Sequence, residues 1–114
     1  MRIVNRKEFL ELPEGTLYSE YEPCCFDGLF IKGKSLKDTN DYIEMSLIGN
    51  VVSSDTGDYA EKLENARIDH ISIDLDFDED YGRNGMFAKE QLYAIYEKKD
   101  VEKFINLLKS EVVT

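Results

Sequence analysis

From His70 to Asp78, in HISIDLDFD, the chain alternates without a break: Ile71, Ile73, Leu75 and Phe77 fall on one side, and Ser72, Asp74, Asp76 and Asp78 on the other. Side chains that switch sides at every residue are the mark of extended backbone. The segment therefore predicts a strand over 70 to 77 in a sheet with one dry and one wet face, its four apolar residues buried and Asp74 and Asp76 exposed. Such a strand cannot stand alone. The rest of the chain must supply ladder neighbours and a layer over the dry face.

Candidates for both are legible. TLYSEYE (16 to 22) and FDGLFIKG (26 to 33) are rich in aromatic and β-branched residues and surround Pro23, which predicts neighbouring antiparallel strands. DYIEMSLIG (41 to 49) predicts a third, with Ile43, Met45 and Leu47 on one face and Glu44 and Ser46 on the other; LYAIYE (92 to 97) predicts a further one whose exposed face periodicity leaves open. At the N-terminus Asn5 can cap a helix of residues 6 to 12, with Glu8 returning a bond and Val4 and Phe9 at the staple positions, until Pro13 stops it. In the middle, Asp55 or Thr56 can start a short helix through DYAEKLENA that turns Tyr59, Leu63 and Ala66 to one side. At the C-terminus Asp100 is read as the cap of a helix whose Val101, Phe104, Ile105, Leu108 and Val112 recur at helical spacing. The expected fold class is α+β, an antiparallel sheet of about five strands in the order α-β-β-β-α-β-β-α. Terminal helices are expected to cover one sheet face, with a short helix in the middle.

With 114 residues, 42% of them hydrophobic, the chain is expected to fold as one domain, 1 to 114, with a core of its own. Charges interrupt the apolar stretch at the N-terminus, and no apolar run is long enough to span a bilayer, so no membrane partner is expected. Cys24 and Cys25 are adjacent, which suits neither a disulfide staple nor a spaced metal motif; a small buried thiol in a reducing cytoplasm is the expectation.

The net charge of −10 is unevenly spread. Residues 55 to 80 contain ten acids against Lys62 and Arg67, a net of −8, while 1 to 54 nets −3 and 81 to 114 nets +1. A field of that sign repels nucleic acid and favours a protein partner with a basic surface. The expected partner-binding residues are Asp74, Asp76, Asp78, Glu79 and Asp80, with Tyr81 in the following loop. The same carboxylates raise the alternative of a small metal-dependent hydrolase or nuclease, but side chains two apart on a strand run parallel instead of converging. The calcium-loop pattern fails too, because Glu79 stands where glycine is required. No catalytic residue, metal site or cofactor is assigned. The lone His70 and the GRNG turn at 82 to 85 lack the partners that catalysis or phosphate binding would need.

The segments NRKEFLELPEGTLYSEYEP (5 to 23), DGLFIKG (27 to 33) and NGMFAKEQLYAIYEKKDVEKFINLLK (84 to 109) resemble small uncharacterised proteins encoded by phages and prophages of Gram-positive bacteria. The resemblance carries no motif of known chemistry. What it implies is a setting in which short acidic proteins bind host machinery. The expected function is accordingly a small acidic protein-binding module without enzymatic activity, such as a mobile-element inhibitor of a host nucleic-acid-handling protein of the anti-restriction or anti-CRISPR type. A structural or assembly factor, whose oligomer buries tyrosines, is a further alternative.

Overall fold

The computed structural model describes residues 1–36, 40–77, 82–83 and 90–113. The fold is α+β and its sheet, antiparallel throughout, has six strands among the described residues: β1 (Arg2–Asn5), β2 (Leu17–Glu22), β3 (Cys25–Ser35), β4 (Tyr42–Ser46), β5 (Gly82–Arg83) and β6 (Leu92–Tyr96). The described residues also form three helices: α1 (Arg6–Leu10), α2 (Thr56–Asp69) and α3 (Lys98–Glu111). The strands lie in the order β1-β6-β2-β3-β4-β5, so the last strand in sequence is inserted between the first two.

That placement explains why LYAIYE shows no sidedness. With β1 on one flank and β2 on the other, Tyr93, Ala94 and Ile95 are all buried, and both faces of β6 are lined by protein. β1 was not foreseen. Four residues carry too little periodicity, and their ladder partner lies ninety positions away, where Ile3 pairs with Ala94.

Register defines the two faces. Tyr18 stands across from Ile95 on one side and from Phe30 on the other, and Val4 across from Tyr93. These residues share the first face, and α1 closes over it. Asn5 caps the helix as expected, its side chain accepting from the Glu8 N–H. Phe9, fully buried, stacks on Tyr93 with centroids 4.0 Å apart and meets Tyr18 and Tyr42 edge-on at 4.6 and 4.8 Å. Arg6 is buried beside it. Its guanidinium donates to the Tyr93 hydroxyl at 2.7 Å and to the Asn40 carbonyl at 3.1 Å, which ties α1 to β6 and to the approach to β4.

The C-terminal helix lies on the other face. Phe104 of α3 meets Tyr96 edge-on at 5.3 Å, and alternation along β6 puts Tyr96 opposite to Tyr93. The expectation that the terminal helices share a face is therefore corrected. So is the cap: Glu97 occupies the N-cap position of α3, and Asp100 sits three residues on, accepting the Glu97 N–H at 2.9 Å. The Met1 ammonium bridges Asp100 at 2.6 Å, which holds the Asp100 carboxyl below its usual range.

The largest correction concerns 70 to 77. Asp74 is exposed as expected, but Asp76 is half-buried, and Ile71 and Leu75 are 58% and 59% exposed and Phe77 43%. α2 runs three residues further than expected, to Asp69, and His70 ends it in the left-handed conformation at φ 56°. The segment then extends, but its ladder partner is only the stretch Asn50–Val52: Val52 N–H donates to the Asp74 carbonyl, Asp76 N–H to that of Asn50, and Val51 bridges Leu75. It joins none of the six strands. Alternation gave the segment two sides without giving it a core.

Candidate functional site

After Ser46 the chain leaves the sheet, and it returns at Gly82, which pairs with Glu44. The described part of this excursion is an arm with its own internal bonding. Gly49 turns at φ +76°, and the Tyr59 hydroxyl donates to its carbonyl at 2.9 Å. Asp55 caps α2 by accepting the Asp58 N–H at 2.8 Å. Asp58 in turn accepts from the Ser54 N–H and bridges Lys62 at 3.2 Å, and these contacts hold its carboxyl below the ordinary range. Lys62 also donates to the Val52 carbonyl, which pins α2 against the 50–52 stretch. Helical spacing thus puts Lys62 one turn beyond Asp58, where it also reaches the 50–52 stretch.

Between α2 and residues 71–74 runs a groove of about 360 Å³, lined by Val52, Ala66, Ile71 and Ile73, with Lys62, Asn65, Ser72 and Asp74 at its polar margin. No residue of α2 is buried. Leu63, Ile68, Ile71, Leu75 and Phe77 are exposed beside Glu61, Glu64, Asp69 and Asp74. Such a surface can offer apolar contact and negative charge to the same partner.

Of the residues expected to bind a partner, Asp74 is exposed and Asp76 half-buried, both on this arm; Asp78, Glu79, Asp80 and Tyr81 lie outside the described residues. Among the described residues no group of three or more His, Cys, Asp and Glu is arranged to hold a metal ion. His70 is exposed at the end of α2, not at a strand edge. Cys24, in the turn after β2, and Cys25, the first residue of β3, are exposed free thiols, contrary to the buried packing expected of them.

A second group of carboxylates was missed. Glu20 lies two residues beyond the buried Tyr18, so alternation turns it toward the same face, where Glu44 accepts a hydrogen bond from the Tyr18 hydroxyl. Burial, reinforced by Glu44 and Asp27, raises the Glu20 carboxyl above its usual range, and burial likewise raises the Tyr18 hydroxyl. The signal was present in TLYSEYE as a carboxylate in phase with an aromatic. Glu20 and Asp27 also line a recess of about 350 Å³ with Tyr21, Glu22, Cys25, Phe26 and Gln91.

No protein-family model, curated protein or solved structure matches this chain. No described helix is long and apolar enough to cross a membrane.

Proposed function

We propose that this chain is a non-enzymatic protein-binding module, and that the arm of residues 49 to 77, continuing into the acidic run 78 to 80, is its binding surface. The observation that carries the reading is the exposure of Leu63, Ile68, Ile71, Leu75 and Phe77 on an element with an acidic surround. An unburied apolar side has no role in the stability of the chain alone, whereas it suits a partner able to cover it. The charge specifies that partner further. From Asp55 to Asp76 the arm has seven acids against Lys62 and Arg67, a field that attracts a basic surface.

A protein that binds nucleic acid presents such a surface, and a module occupying it would act as an inhibitor of host nucleic-acid handling, the setting that the phage-like resemblance implies. The cytoplasm is the proposed location, since adjacent Cys24 and Cys25 close no stapling loop and two unstapled thiols suit a reducing compartment.

The test is capture from a host lysate with three baits: the wild type, Asp74→Asn/Asp76→Asn/Asp78→Asn, and Ile71→Ser/Leu75→Ser. The acid variant is expected to associate more slowly and with a flatter salt dependence, and the apolar variant to lose the partner. Retention of one partner by all three, with unchanged salt sensitivity, refutes the arm as the surface.

A further inference from the structure

Residues 71 to 77 have two backbone edges, and only one is in use. The Val52 N–H donates to the Asp74 carbonyl at 3.2 Å and the Asp76 N–H to the Asn50 carbonyl at 2.8 Å, so the main-chain groups of Asp74 and Asp76 face the 50–52 stretch. In extended backbone the N–H and C=O of one residue point the same way, and those of the next point the other way. Those of Leu75, and of Ile73 before it, therefore face outward. Among the described residues no group pairs with them, and the segment belongs to none of the six strands. An open row of this kind is a template for one more strand.

The side chains along the edge specify what can add to it. Leu75 and Phe77 are exposed and apolar, Ser72 and Asp74 exposed and polar, and between Asp55 and Asp76 the arm has seven acids against Lys62 and Arg67. Directly opposed cross-strand residues favour apolar on apolar and opposite charges, and penalise like charges. A second copy pairing antiparallel about Leu75 would set Asp74 against Asp76, and nucleic acid or an anionic lipid surface would meet the same repulsive field. A cationic strand meets attraction instead.

We infer that the open edge of residues 71 to 77 takes up, by antiparallel strand addition, an extended segment of another protein in which lysine or arginine alternates with apolar residues. Main-chain bonds to Ile73 and Leu75 supply affinity, while an apolar side chain opposite Leu75 and a cation opposite Asp74 set the register. The inference rests on the reading of the arm as the binding surface, and adds to it the mode of recognition and the sequence pattern recognised.

The experiment is calorimetric titration of the full chain at low salt with end-capped synthetic peptides of about seven residues, an ordinary strand length. The first alternates lysine with valine. In the antiparallel register a valine stands opposite Leu75 with its N–H aimed at the chain, and the backbone N–H groups of the lysines point away. Methylation of every valine nitrogen is therefore expected to weaken binding by about tenfold or more. Methylation of every lysine backbone nitrogen, at the same charge, is expected to leave it nearly unchanged. A peptide alternating glutamate with valine is expected not to bind. On the protein side, Leu75→Pro deletes an outward donor that no described group uses, whereas Leu75→Ala removes the side chain and keeps the donor, so the proline variant is expected to bind the lysine–valine peptide more weakly than the alanine variant. The methylated pair requires no variant and decides even where Leu75→Pro unfolds the arm. Equal affinities of the two methylated peptides, or the reverse order, overturn strand addition while leaving the arm as a surface read by side chains. Equal binding by folded Leu75→Pro and Leu75→Ala overturns the inference as well, as does the absence of saturable binding by the lysine–valine peptide up to about 1 mM. Failure of the arm as a binding surface is read separately, from the lysate capture with Ile71→Ser/Leu75→Ser.

Discussion

Replacing Phe9 with alanine tests whether a five-residue helix is held to the sheet by one ring. Phe9 is fully buried, and its ring stacks on Tyr93 while meeting Tyr18 and Tyr42 edge-on. Large-to-small changes at such aromatic positions cost about 3–5 kcal/mol. Three ring contacts, each about 0.5–1.5 kcal/mol beyond area burial, push the expected loss to the upper end. A domain of this size has only about 5–15 kcal/mol in total. With a urea dependence of about 2 kcal/mol per molar, the midpoint should fall by about 2 M. Leu75→Ala is the control. At 59% exposure it forfeits less than half of the roughly 1.5–3 kcal/mol that full burial of a leucine brings, so its midpoint should move by about 0.5 M or less. Urea melts followed by far-ultraviolet dichroism measure both. A larger loss for Leu75→Ala than for Phe9→Ala would return the 70 to 77 segment to the core and refute the assignment of the core to α1.

Glu20→Gln should raise the melting temperature at pH 7 and lose that advantage below about pH 4.5, the ordinary glutamate value: a carboxyl raised in the fold is a liability only once it ionises, so a gain that grows on acidification contradicts the burial described here. Gly28→Ala should be costlier than Gly15→Ala in denaturant melts. Both positions have positive φ, worth about 1–2 kcal/mol against any L side chain, but a Cβ at Gly28 would also run into the Phe30 ring, whereas one at Gly15 meets open space. Millimolar calcium or magnesium should leave the melting temperature almost unchanged; a saturable rise of several degrees would favour the metal-dependent hydrolase over the binding module.

The α1 cap, the shared burial of Val4 and Phe9, and the pairing of β2 with β3 were legible because each depends on neighbours within a few residues or on one short connection. β1 was not, since nothing local distinguishes four extended residues that find their partner at the far end of the chain. The helices show a different limit. The stripe on α3 was read as sidedness and assigned to a core within the chain, where most of it stays exposed, and the alternation at 71 to 77 is not matched by burial, since Asp76 is half-buried while Ile71 and Leu75 are exposed. Periodicity reports that a side must be covered. It is silent on which molecule covers it. Of the candidate site, Asp74 stands exposed on the arm as its position in the alternation indicated, while Glu20 escaped notice because a carboxylate in an aromatic strand reads as a solvent-facing residue until the strand order gives its face.

Because the arm departs after Ser46 and the chain rejoins beside Glu44, the two junctions are neighbours in the same ladder. The sheet requires only that these ends meet, and closing a flexible loop twice as long costs only about 0.6 kcal/mol more. Length and composition between Leu47 and Tyr81 can therefore drift, shrink or be exchanged wholesale while Tyr18, Phe9 and Tyr93 continue to fold as before. Selection by a changing partner would then act on an interchangeable cassette, and a designer could graft another binding loop at the same two points.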